Sequence, residues 1–105
     1  MRAIKIDPYS KTISEIDISG QSELVSIIGS DRLVLTPLDR GINLLSGEDD
    51  KIKPCFGFYG VPDLELYGVA IVVGGSRKRL RPLHEGLRSF ELTVEWRTGA
   101  SESNE

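Results

Sequence analysis

The sequence predicts an α+β fold, a mainly antiparallel and curled sheet of five to seven strands with one short helix. Three observations predict it. Apolar residues alternate with polar ones at both ends of the chain, in Ile4-Lys5-Ile6 and from Phe90 to Arg97. An unbroken apolar run, Val69 to Val73, reads as a strand covered on both faces. Only Leu24, Ile27 and Ile28 show helical spacing.

Taken in order, Met1 to Asp7 reads as a strand, stopped by the turn-forming pair Asp7-Pro8. Lys11 to Ile18 returns as its hairpin partner, with Ile16 and Ile18 on one face and Glu15 and Asp17 on the other. Ser19 or Gly20 can cap a helix whose first turn holds Glu23, where the helix dipole favours negative charge. Gly29 supplies its left-handed stop. A helix of barely two turns must draw its stability from packing.

Arg32 to Thr36 is a further strand, and Pro37 places its end at a sheet edge. Asp39-Arg40-Gly41 turns the chain into a short strand, Ile42 to Leu45. A polar turn, Ser46 to Lys51, follows. Lys53 to Gly68 contains two prolines, three glycines and four of the seven aromatic residues, and is expected as an ordered loop folding its rings onto the core. Val69 to Val73 is the central strand, Ser89 to Arg97 a strand with one wet face, and 98–105 a disordered polar tail after a single domain, 1–97. One narrow helix cannot cover so wide a sheet. Either the sheet curls on itself or a second copy covers the remainder; a curled sheet is expected, with a homodimer as the alternative.

At 105 residues the chain suffices for one core, and at 7% aromatic content that core must be largely aliphatic. The lone Cys55 has no partner within the chain for a disulfide. No apolar run reaches the roughly 20 residues of a membrane span, and the charged N-terminus lacks a signal peptide's apolar core. A cytoplasmic protein without membrane contact is expected.

The main candidate site is Gly74-Gly75-Ser76-Arg77-Lys78-Arg79-Leu80-Arg81. From Arg77 to Arg88 the formal balance is +4 in a chain of −3, which leaves −7 for everything else. Gly74 and Gly75 would let main-chain N–H groups turn towards an anion, and Arg77, Lys78, Arg79 and Arg81 would grip it. The spacing is not that of a phosphate-binding P-loop, and a solvated loop turned by its glycines is the commoner meaning of such a run. The expected partner is an acidic host-protein surface, nucleic acid or a nucleotide.

A second candidate is Phe56-Gly57-Phe58-Tyr59-Gly60-Val61-Pro62, where Phe58 and Tyr59 could form an apolar pocket or a protein-binding patch instead of plugging the core. If the two loops met, rings would stack on a base while arginines held its phosphate. His84, Glu85 and Cys55 form no catalytic constellation, so an enzyme is not expected. Glu48, Asp49 and Asp50 lack a calcium-loop spacing, so neither metal nor cofactor is expected.

The order of elements resembles a family of small proteins encoded largely by phages and mobile elements, whose function is not established. The matching stretches are Met1 to Pro8 with Ile13 to Ile18, the helix of Leu24, Ile27 and Ile28, Gly41 to Leu45, and Tyr67 to Gly74. The chain has Pro54-Cys55-Phe56-Gly57 in place of the Pro-Pro-Asn-Arg-like stretch of that family, and adds the basic loop and the Phe90 to Trp96 strand. The resemblance implies a phage or mobile-element accessory protein acting on host machinery or host defence in the host cytoplasm. It carries over no functional residue.

Overall fold

The computed structural model describes residues 1–30, 32–39, 41–47, 53–76, 79–84, 86, 90 and 93–97. Nine strands and one helix lie among them: β1 (Arg2–Asp7), β2 (Thr12–Asp17), α1 (Gln21–Ile28), β3 (Leu33–Asp39), β4 (Ile42–Gly47), β5 (Cys55–Phe58), β6 (Val61–Tyr67), β7 (Ala70–Gly75), β8 (Leu80–Arg81) and β9 (Val94–Arg97). Every strand pair is antiparallel.

The strands do not form the single curled sheet of five to seven strands that was expected. They divide into a six-stranded sheet, ordered β2-β1-β7-β4-β3 with β8 added to β7, and a three-stranded sheet, β6-β5-β9. The division follows from where apolar residues sit. On one face of the large sheet Ile4, Ile6, Leu44 and Val72 pack against Phe56, Phe58, Leu66 and Val94 of the small sheet. On the other face Ala3, Leu45, Ile71 and Val73 pack against Leu24 and Ile28 of α1. β7 is buried on both sides, as its unbroken apolar run requires.

The helix forms where its stripe predicts. Gly20 is the N-cap without a side-chain capping bond, and Ser19 Oγ instead donates to the Glu23 carboxylate at 2.5 Å. Gly29, at φ 80°, ends the helix by donating its N–H to Val25 O at 2.9 Å. Burial of Leu24 and Ile28 contributes about 1.5–3 kcal/mol each, which holds a helix too short to stand alone.

Lys53 to Gly68 is not a loop. It holds the β5–β6 hairpin, and β9 pairs on the other side of β5. Phe56, Phe58 and Tyr67 are buried, as expected of rings folded onto the core. The register of β5 on β6 slips between Phe56 and Phe58, opposite the residues that follow Val61. Arg97, expected on a wet face, fills this irregularity. Its side chain is 14% exposed and donates to the carbonyls of Leu64 (2.5 Å), Phe58 (3.2 Å) and Val61 (3.2 Å), with Glu95 at 2.8 Å. Gly57 makes room for it, since a Cβ there would stand 2.1 Å from Arg97 Cζ.

β3 is an edge strand, as Pro37 implied, but it runs on to Asp39 through a bulge. β4 extends through Ser46 and Gly47, both expected in a turn. The last expected strand begins only at Val94, with Phe90 and Thr93 outside it; Ser89, Glu91 and Leu92, the acids Glu48, Asp49 and Asp50, and the 98–105 tail lie outside the described residues. No helix among the described residues is long and apolar enough to cross a membrane.

Candidate binding site

The basic segment is a hairpin on the end of the large sheet. Gly74 pairs with Arg81 and Gly75 with Leu80, while Ser76 and Arg79 exchange both main-chain hydrogen bonds, at 3.0 and 3.1 Å. The chain therefore reverses between Ser76 and Arg79. Arg79 and Arg81 are exposed; Arg77 and Lys78 lie outside the described residues.

The glycine pair serves close approach. A Cβ on Gly74 would stand 2.7 Å from the Pro82 carbonyl, and one on Gly75, at φ 89°, 2.3 Å from the Arg79 carbonyl. The Gly75 N–H donates to Gly41 O at 3.0 Å, and its carbonyl accepts from the buried Asn43 amide at 2.8 Å. Both Gly75 main-chain groups thus hold the fold.

Beyond the hairpin the chain is pinned again. Leu83 is buried, its N–H donates to Arg2 O at 2.9 Å, and its carbonyl accepts from the Arg2 guanidinium at 2.6 Å. Arg2 also reaches Glu15 at 2.7 Å, and that bond, then the Arg2 charge, holds the Glu15 carboxyl below its ordinary value.

A cleft of about 370 Å³ opens between the two sheets. Pro37, Leu38, Asp39 and Ile42 line it from the large sheet, and Phe58, Tyr59, Val61 and Leu64 from the small one, with Phe90 and Thr93 between. The volume is that of a site for one small ligand or one anchoring side chain. Of the two rings expected here, Phe58 is buried edge-on against Phe56, with centroids 5.9 Å apart, while Tyr59 stands 63% exposed at the rim. The Tyr59 N–H donates to Thr93 O at 2.9 Å, which fixes the rim to the segment before β9.

No known family, curated protein or solved structure matches this chain.

Register relates the two candidate sites. Ile42 pairs with Gly74, and Gly74 with Arg81. Residues directly opposite in a sheet share a face, so all three form one row on the side of the small sheet. Two strand spacings put the Arg81 Cα about 10 Å from the Ile42 Cα, with a side-chain-free glycine between them. The cleft and the basic hairpin therefore occupy the same end of the molecule, although none of the hairpin's described residues lines the cleft.

Of the enzyme candidates, Cys55 and His84 are described. The Cys55 thiol is buried in β5 and donates to Arg97 O at 3.3 Å. His84 is exposed on the segment after β8, and Glu85 lies outside the described residues. Among the described residues no three His, Cys, Asp or Glu side chains are grouped to hold a metal ion. The sequence offered no signal for Pro37, Leu38, Ile42, Leu64 or Phe90 as cleft residues, because they come from elements far apart in the chain.

Proposed function

We propose that the chain is a non-enzymatic binding protein that engages an acidic segment of another protein at the end of the large sheet carrying the basic hairpin. The row Ile42, Gly74, Arg81 carries this reading, because it sets a cation beside an apolar cleft. Arg79 and Arg81, with Arg77 and Lys78 of the same segment, meet the target's carboxylates. The cleft takes a neighbouring apolar side chain. Asp39 in the cleft wall disfavours an anion inside it, which assigns charge to the hairpin and apolar surface to the cleft.

A protein target fits better than a long nucleic acid. The rest of the chain carries −7, and an extended polyanion leaving the hairpin would run along that acidic body. A compact carboxylate cluster would not. On the resemblance to phage and mobile-element proteins, the target belongs to host machinery or host defence.

One observation favours a second reading. The exposed Tyr59 ring at the rim of the cleft suits a nucleotide-like ligand, with its base against the ring and its phosphate at the hairpin arginines.

The test is retention from nuclease-treated lysate at low salt and at about 0.5 M, where the screening length falls to roughly 4 Å. Retained proteins and small molecules are identified by mass spectrometry. A protein partner released at high salt, and lost when Arg77, Lys78, Arg79 and Arg81 are all alanine, supports the first reading. A nucleotide that persists at high salt and is lost with Tyr59→Ala transfers support to the second. Retention unchanged in both variants refutes the site.

A further inference from the structure

The large sheet ends in two unlike edges. β2 carries Glu15 and Asp17, whereas β3 carries no charge from Leu33 to Leu38. An open edge strand presents a row of main-chain donors and acceptors, and charges are the usual means of keeping other strands off it. On β3 charge is missing and only Pro37 and the bulge blunt the edge, while Val34 is 47% exposed.

Charges stand only at the ends of the run, with opposite signs. Arg32 precedes it, Asp39 closes it, and both are exposed. The sequence repeats the pattern one residue further out, with Asp31 before and Arg40 after. The bulge supplies the needed geometry. Val34, Thr36 and Asp39 face Ser46, Leu44 and Ile42, which alternate along β4 and so share one face. Leu38 is the extra residue that brings Asp39 onto the face of Val34, and Arg32 stands immediately before the strand, two residues from Val34.

From this we propose that two copies of the chain pair β3 with β3, antiparallel about a two-fold axis through Leu35. Leu35 then faces its own equivalent, and Val34 faces Thr36 of the second copy. Leu33 faces Pro37, and with Leu38 held out as the bulge, Arg32 faces Asp39. Symmetry makes each contact twice except the Leu35 pair on the axis, which is made once. A one-residue slip would set opposed side chains on different faces and lose both ion pairs.

Pro37 has no N–H to give and the bulge interrupts the ladder, so the shared stretch is short and the dimer is concentration-dependent. Assembly stops at two, because the β2 edge is charged. The basic hairpin stays open, since β8 lies on the flank of β7 away from β4 and β3.

Analytical ultracentrifugation from about 1 to about 300 µM measures the dimer constant. Arg32→Asp, which sets like charges opposite each other twice, weakens dimerisation at least about tenfold. Arg32→Asp combined with Asp39→Arg restores it to within about threefold, because the swap recovers both pairs. Leu35→Cys, made in a Cys55→Ala background, closes an intermolecular disulfide under mild oxidation. Its Cα atoms would lie about 5 Å apart, inside the span a disulfide bridges. If Arg32→Asp fails to fold, the Leu35→Cys cross-link decides alone. A chain that stays monomeric throughout, a dimer indifferent to Arg32→Asp, or absence of the Leu35→Cys cross-link overturns the proposal.

Discussion

Arg97→Ala tests the account of the small sheet most directly. The guanidinium donates to the carbonyls of Leu64, Phe58 and Val61, at the place where β5 and β6 lose register. Each hydrogen bond from a charged donor contributes about 1.5–3 kcal/mol. The Val61 bond is exposed and its carbonyl can turn to water, so the three do not sum fully. The expected loss is about 3–4 kcal/mol, a large share of the roughly 5–15 kcal/mol typical of a chain this size.

Gly57→Ala reaches the same interaction from the other side. A Cβ 2.1 Å from Arg97 Cζ forces the guanidinium off its carbonyls, at a similar cost of about 3 kcal/mol. In the Arg97→Ala background that clash is absent, so adding Gly57→Ala should cost less than about 1 kcal/mol. Urea unfolding of the four proteins in the cycle, followed by circular dichroism, reads this coupling. With a slope of about 1–1.5 kcal/mol/M, each single variant should lower the midpoint by about 2–4 M. If the two losses simply add, or if Gly57→Ala alone costs under about 1 kcal/mol, Arg97 does not hold the hairpin through the space above Gly57.

Three further outcomes are expected. Gly75→Ala, which must hold φ 89° with its Cβ on the Arg79 carbonyl, should cost about 2–3 kcal/mol and raise amide exchange at Leu80 and Leu83; unchanged exchange would show the hairpin base is not built as described. Phe56→Ala, removing a fully buried ring in edge contact with Phe58 and Trp96, should cost about 3–5 kcal/mol by urea unfolding. The Glu15 carboxyl is lowered by Arg2, so the stability it confers is fully present above its ordinary carboxyl value and lost as pH falls through the lowered folded value. The gap in melting temperature between the wild type and Glu15→Gln should therefore close in that acid window, and a gap that stays constant with pH would refute the pairing.

Local patterns were legible wherever one element decides them. The Ile4–Lys5–Ile6 alternation, the Leu24–Ile28 stripe, the left-handed Gly29 and the apolar run of β7 each depend on a few neighbouring residues, and each stands where the sequence places it. The β5–β6 hairpin was hidden for the same reason. Cys-Phe-Gly-Phe is too short to show a period, and Gly57 and Pro62 read as loop residues when nothing nearby reveals what they accommodate.

By itself, then, the chain determines which residues of β1, β7 and α1 face inward, that the helix stops at a left-handed glycine, and that one segment concentrates positive charge on an acidic body. Alternation assigns a residue to a face but does not name the layer that will cover it. Only the tertiary structure decided that the strands divide into two sheets, that Arg97 turns inward over Gly57, and that Ile42, Gly74 and Arg81 share a row. Each of these joins residues tens of positions apart, through close approach or strand register, and no local period encodes such a pairing.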